Sequence, residues 1–240
     1  MKILITNDDG ANAPQLIPLI KACQTIGDVT VVVPKSEQSA KSHSIEIRRA
    51  FEIRQIELAP GVQAWAVDST PADCVRFSVS GLKQRFDLVI SGINRGYNLG
   101  RDTMYSGTVA AATEAVCKGM NALALSASVK YYDRAVDHLE EILRFLSEHS
   151  LFDISPLYNV NIPVDPAGFR ITRLGGESFS EEFVSQGSDL YFPGGKPIHE
   201  NSTDLTLDTV ASYSGYISVT PMSVNRTDWS AWEALKILNE

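Results

Sequence analysis

Cysteine is scarce in this chain, with three in 240 residues at Cys23, Cys74 and Cys117. An odd and widely spaced set of that kind excludes a disulfide framework and a cysteine-rich zinc module. It fits buried thiols in a reducing compartment. Histidine is nearly as rare, with four scattered residues. Basic residues number 21 against 29 acids, a net charge of -8. That balance excludes a general nucleic-acid binder, which carries a basic face, so no duplex partner is expected. It does not exclude a small phosphorylated ligand, which needs only a local cation. No apolar run approaches the roughly 18 residues of a membrane span, so no membrane partner is expected either. The start, Met1-Lys2, enters an apolar run at once, without a small-residue cleavage site. It reads as a cytoplasmic chain with no signal peptide. Familiar motifs are missing: no Gly-Lys-Ser/Thr phosphate loop, no G-x-G-x-x-G, no H-E-x-x-H and no G-x-S-x-G. There are no internal repeats and no low-complexity tract.

What remains is an ordinary globular composition, 44% hydrophobic and 21% charged, long enough for a sizeable core. Residues 2–6 (KILIT) read as a buried strand bounded by turn residues. Apolar residues at helical spacing follow, up to Gly27 as a C-cap. Residues 28–33 (DVTVVV) form a second strand, stopped by Pro34, and a polar loop leads to Ser44. Residues 45–58 read as an extended pair and 62–69 as a strand. Thr70 then caps a helix with Pro71 in its first turn. "FDLVISG" lacks a polar face, as expected for the middle of a parallel sheet. "SGTVAAATEAVCKG" is a small-residue helix, "NALALSAS" a strand, and residues 133–149 an amphipathic helix. Strand and helix alternate through residues 1–150, the pattern of an open α/β sheet. Residues 151–240 change character. They are loop-rich and partly β, with strand candidates at 158–162, 169–174 and 215–220 and a closing helix over 228–239. This second part is expected to be an extension of the same domain, forming arms or a subdomain, and such arms often serve an oligomer interface.

Ligands of open α/β sheets bind at the carboxyl ends of the strands. Three such ends carry dense polar residues: Asn7-Asp8-Asp9-Gly10, Ser36-Glu37-Gln38-Ser39, and Ser91-Gly92 through Asn94, Gly96 and Asn98. They offer carboxylates, amide oxygens and hydroxyls without Cys or His, a set that suits Mg²⁺, Mn²⁺ or Ca²⁺. Adjacent like charges at Asp8 and Asp9 are tolerable if a cation neutralises them. Both reach one ion only where the chain leaves strand geometry, and Gly10 permits that departure. Alone, the tetrapeptide is equally a solvated turn. Ser106-Gly107-Thr108 opens a helix after a glycine-rich loop, an arrangement that offers free backbone N–H groups to an anion. Ser106 or Thr108 as a plain helix cap is the competing reading. His43 and Lys41 are weaker candidates near Ser39. His138 and His149 read as solvated, Tyr105 as packing, and the segment ending in Asp204 as a turn.

With these pieces in hand, the sequence resembles the SurE family, the survival-protein 5'-nucleotidases. The resemblance lies in "ILITNDDG", "VVVPKSEQSA", "STPADCV" and the long "DLVISGINRGYNLGRDTMYSGTVAAATEA", then in "YNVNIP", "STD" and "GYISVTP". It implies a Rossmann-like open sheet whose C-terminal extension is exchanged between subunits of a homodimer or homotetramer. It implies a phosphatase of nucleoside 5'-monophosphates, with 3'-monophosphates and short polyphosphate as further substrates. One divalent ion per subunit, Mg²⁺ or Mn²⁺, is implied on Asp8, Asp9, Ser39 and Asn94. Phosphate would be bound by Asn94, Asn98, Ser106, Gly107 and Thr108. For the attacking step a metal-polarised water, or Asp8 or Asp9 as base or nucleophile, stay open. Ala40 departs from the family, which commonly has glycine after the serine. Residues 178–200 fit only loosely and leave substrate preference open.

Two other classes compete. A receiver domain also places paired acids after its first strand, but it needs an acceptor, for which only Asp68 offers, and a lysine after a late strand. After "NALALSAS" the first lysine is Lys130. A non-catalytic metal- or nucleotide-binding oligomeric stress protein would not need the intact set of four ligands.

Overall fold

The computed structural model describes residues 1–239. Nine strands form one sheet: β1 (Lys2–Thr6), β2 (Asp28–Pro34), β3 (Ile53–Ile56), β4 (Gln63–Val67), β5 (Leu88–Arg95), β6 (Asn121–Ala127), β7 (Leu157–Ile162), β8 (Phe169–Ile171) and β11 (Ile217–Pro221). Strands β9 (Glu182–Gly187) and β10 (Leu190–Gly194) form a separate antiparallel hairpin. The large sheet runs β3-β4-β2-β1-β5-β6-β7-β11-β8. Its centre is parallel, and only the β3/β4 and β7/β11 pairs are antiparallel. After β1 the chain builds outward through β2 and β4, then crosses back to place β5 on the other side of β1. The neighbours β2, β1 and β5 therefore bracket the point where winding direction reverses, the usual ligand crevice of an open sheet.

Alternation along the strands divides the core into two layers. Ile3, Ile5, Val31, Val33, Leu88 and Ile90 face helices α1 (Leu16–Gln24) and α4 (Leu139–Glu148). Leu4, Val32, Val89, Ala122 and Ala124 face α2 (Pro71–Arg76) and α3 (Gly107–Cys117). The central strands are covered on both faces, which explains why "DLVI" has no polar side. Helix α3 presents Ala111, Ala112 and Ala115 to Ala122 and Ala124, so small residues on both partners bring helix and sheet close. Thr70 caps α2 as expected, its Oγ1 accepting from the Asp73 amide at 3.2 Å.

The C-terminal part departs from the sequence reading in several places. Strands β7, β11 and β8 belong to the main sheet rather than to an arm. The hairpin, the short α5 (Leu151–Ile154) and α6 (Asp208–Tyr213) have no counterpart in that reading. Residues 45–51 are irregular, so only β3 remains of the expected extended pair. Residues 132–138 are a 3-10 segment leading into α4. The last helix, α7 (Trp229–Leu235), buries none of its residues. Cys23 and Cys74 are buried as expected, but Cys117 is exposed. His138 is not solvated. Its ring bonds the Tyr131 hydroxyl and the Glu141 carboxylate. Among the described residues no helix is long and apolar enough to cross a membrane.

Candidate active site

The turn after β1 is closed by Asn7. Its Nδ2 donates to the Gly10 carbonyl at 3.1 Å and its Oδ1 accepts from the Gly10 amide at 3.0 Å. Gly10 sits at φ +90°, and a Cβ there would lie 3.0 Å from the Ser36 backbone. Backbone hydrogen bonds then gather the other segments. The Gln38 amide donates to the Asp8 carbonyl at 2.7 Å, and the Ser42 amide to the Tyr105 carbonyl at 3.0 Å. Between Ser91 and Asn94 the β5/β6 register shifts. Irregularities of this kind re-aim side chains beside sites.

One cleft of about 690 Å³ results, lined by Asp8, Asp9, Ser39, Asn94, Asn98 and Ser106. The three polar strand ends thus converge. Gly107 and Thr108 stand behind the lining rather than on it. The Thr108 hydroxyl donates to Asp8 Oδ1. Ser106 is the N-cap of α3, its Oγ accepting from the Val109 amide at 3.1 Å, and it faces the cleft as well. Ser39 donates to Glu37 Oε1 at 2.6 Å. Asn94 uses Nδ2 to donate to the Gly96 carbonyl at 2.9 Å, which leaves its Oδ1 for another partner. His43 does not join the cleft; it pairs with Glu114 of α3 at 2.9 Å. Lys41 is not in the lining either. Tyr105, expected to pack, is exposed and lines the cleft.

Sequence reasoning missed Arg95, Asp102, Tyr132 and Asp133, which also line it. Arg95 could have been found beside Asn94. Asp102 and the Tyr132-Asp133 pair carried no spacing signal of their own. The lining holds five carboxylates (Asp8, Asp9, Glu37, Asp102 and Asp133), and Arg95 is the one cation among its described residues.

The electrostatics follow. Burial pushes the Asp8 carboxyl above its ordinary 3.8, opposed by the Thr108 hydroxyl. Asp9 is raised to about 6, first by burial and then by the charge of Asp8. Asp9 Oδ2 is buried without a hydrogen-bond partner. A buried carboxylate oxygen with nothing to bind is costly. The oxygens of Asp8, Asp9, Ser39 and Asn94 match the preference of hard divalent cations, and an ion would satisfy that orphaned atom. The residues present therefore fit such a group.

The family model for survival protein SurE matches residues 3–181. The chain belongs to the SurE family. A 5'-nucleotidase SurE of Clostridium beijerinckii is 38% identical, with 96% of each chain covered. One of Legionella pneumophila is 34% identical over 100% of this chain and 98% of its own. The crystal structure of a SurE protein from Aquifex aeolicus superposes with a TM-score of 0.84 at 28% identity, covering 100% of both chains. This SurE fold is a parallel-dominated sheet with helices on both faces, in agreement with the α/β sheet read from the sequence.

Proposed function

We propose that this chain is a divalent-ion-dependent phosphatase that hydrolyses nucleoside 5'-monophosphates to nucleoside and phosphate. Relatives named 5'-nucleotidase over the full length support the reaction. The observation that carries the ion requirement is the charge of the cleft. Five carboxylates against one arginine would repel a phosphate dianion unless a cation came with it. Asp8, Asp9, Ser39 and Asn94 would hold one Mg²⁺ or Mn²⁺ per subunit. Bound there, the ion supplies charge neutralisation at a phosphate oxygen and polarises water.

The chain's own groups do the rest. Thr108 fixes the orientation of Asp8. Asp9, whose carboxyl is raised to about 6 in the ion-free fold, would be held ionised by the ion, which would also give its unpartnered oxygen a partner. Ser106, the N-cap of α3, faces the cleft, so an anion bound there would meet the positive end of the helix that Gly107 and Thr108 begin. Arg95 at the end of β5 and Asn98 in the loop after it add donors. In phosphoryl transfer the gain comes mostly from such positioning and charge stabilisation. Short polyphosphate and 3'-monophosphates would fit the same chemistry as further substrates.

The cytoplasm is the compartment that the reduced thiols favour. A homodimer or homotetramer accounts for the exposed Phe183, Leu190, Tyr191 and Phe192 of the hairpin and for Trp229 and Trp232 of α7. The test is phosphate release from 5'-AMP with Mg²⁺ or Mn²⁺, with and without EDTA. Loss of release with EDTA and with Asp9→Asn is expected. Equal release with and without EDTA would refute the ion requirement. No release with any divalent ion would favour a binding protein instead.

A further inference from the structure

Strand β7 runs Leu-Tyr-Asn-Val-Asn-Ile, and both of its asparagines are completely buried. Burying a primary amide is unfavourable unless its hydrogen bonds are replaced. Asn159 and Asn161, two residues apart, point to the same face of the sheet. Both spend their Nδ2 on one atom, the carbonyl oxygen of Asn98, at 2.8 Å and 3.0 Å. Asn161 Oδ1 also accepts from the Asn98 amide, at 2.9 Å. A single residue of the cleft loop therefore has both backbone polar groups held by side chains from a strand two places away.

The sheet register explains how they reach. Asn161 lies beside Ser126 of β6, and Ser126 beside Asn94 of β5. Asn159 lies beside Ala124, whose side chain is small, and Ala124 beside Ser91. Ser126, itself fully buried, accepts from Asn98 Nδ2 at 2.7 Å. Asn98 sits between Gly96 at φ +119° and Gly100 at φ +52°. Two glycines in that region give the loop backbone turns that other residues resist.

We propose that Asn159 and Asn161 are positioning residues for the phosphate site, holding the Asn98 backbone in one place. Neither lines the cleft. They act through Asn98, whose Nδ2 keeps a second hydrogen for an anion after binding Ser126. The kinetic part rests on the phosphatase reading above; the clamp itself does not.

The experiment compares wild type with Asn161→Leu, which removes both of that residue's contacts with Asn98, and Asn159→Leu, which is close in volume and removes the second donor to the Asn98 carbonyl. Hydrogen exchange is measured peptide by peptide, and kcat and KM for 5'-AMP are measured with Mn²⁺. Exchange across residues 96–105 should quicken about tenfold, with β1 and β2 unchanged. The kcat should fall about 10- to 100-fold with KM and Mn²⁺ affinity within about threefold, as for a displaced group. Unchanged exchange in the loop, or a loss of activity that merely tracks uniform loosening of the fold, would overturn the proposal. If wild type releases no phosphate, the phosphatase reading fails, and the exchange data still decide the clamp.

Discussion

Gly107 leaves no room for a methyl group against Asp8. A Cβ at Gly107 would lie 2.9 Å from the Asp8 Cβ and 3.1 Å from its Oδ2. Backbone at the start of α3 and a buried carboxylate are in contact, so one of them must move if a side chain is added. Gly107→Ala is expected to displace Asp8 and lower divalent-ion affinity and phosphatase rate by about tenfold or more, with overpacking costing about 1–3 kcal/mol. Titration calorimetry with Mn²⁺ and a melting curve check it. Wild-type affinity at an unchanged Tm would show that the contact relaxes freely.

The raised carboxyl of Asp9 makes a pH prediction with a definite sign. Burial, then Asp8, lift it from 3.8 to about 6 in the ion-free fold. A folded-state value above the unfolded one gives stability below the unfolded value, and that stability is lost as pH rises through about 6. Ion-free protein should therefore lose more Tm between about pH 4 and 7 than Asp9→Asn does. Mn²⁺ affinity should rise over the same window, because the ion needs the ionised form. Parallel Tm profiles for the two proteins would contradict this.

Asp208 ties three segments together. Its Oδ2 accepts from the Gly100 amide at 2.9 Å, and its Oδ1 from the Gly175 and Thr209 amides at 2.7 Å and 2.8 Å. It is fully buried, and burial raises its carboxyl despite those donors. Asparagine keeps one acceptor oxygen and turns an NH₂ toward a backbone N–H. Asp208→Asn should cost about 2–3 kcal/mol in urea denaturation. A change below about 0.5 kcal/mol would mean that the loop reorganises around it.

Ala40 occupies φ +54°, a region that favours glycine. The side chain is exposed, so the strain is not offset by packing. Ala40→Gly should raise stability by roughly 0.5–1 kcal/mol, a Tm gain of about 1–4 °C. An unchanged or lower Tm would show that the added backbone entropy of glycine cancels the relief.

The site is legible in the sequence where chemistry and chain direction coincide. Asp8 and Ser39 each follow a strand and Asn94 lies at the end of one, inside β5 rather than after it as the sequence reading had it, and strand ends of an open sheet meet on one edge. Ala40 stands out as a departure, and its backbone angle gives the reason. Thr108 lies at the helix start, as its place in the sequence implies, but its hydroxyl serves Asp8 instead of facing the cleft. Helix α6 escapes notice because six residues are too few to display a period. The hairpin exposes nearly all of its side chains, so it lacks the alternation that marks a half-buried strand. Asp102 is held by Ser178, through that residue's amide at 2.9 Å and hydroxyl at 2.6 Å, a pairing that no local pattern announces.

The contacts that define the cleft span great lengths of chain. Thr108 and Asp8 are 100 residues apart, and Gly100 and Asp208 are 108 apart. Such separations raise contact order and slow folding. During synthesis, Asp8 and Asp9 emerge early, as bare neighbouring acids, long before Thr108, Asn161 and Asp208 leave the ribosome. Competence therefore arrives late in the life of each new chain, and a prematurely terminated product would carry the acidic pair without the scaffold that orders it.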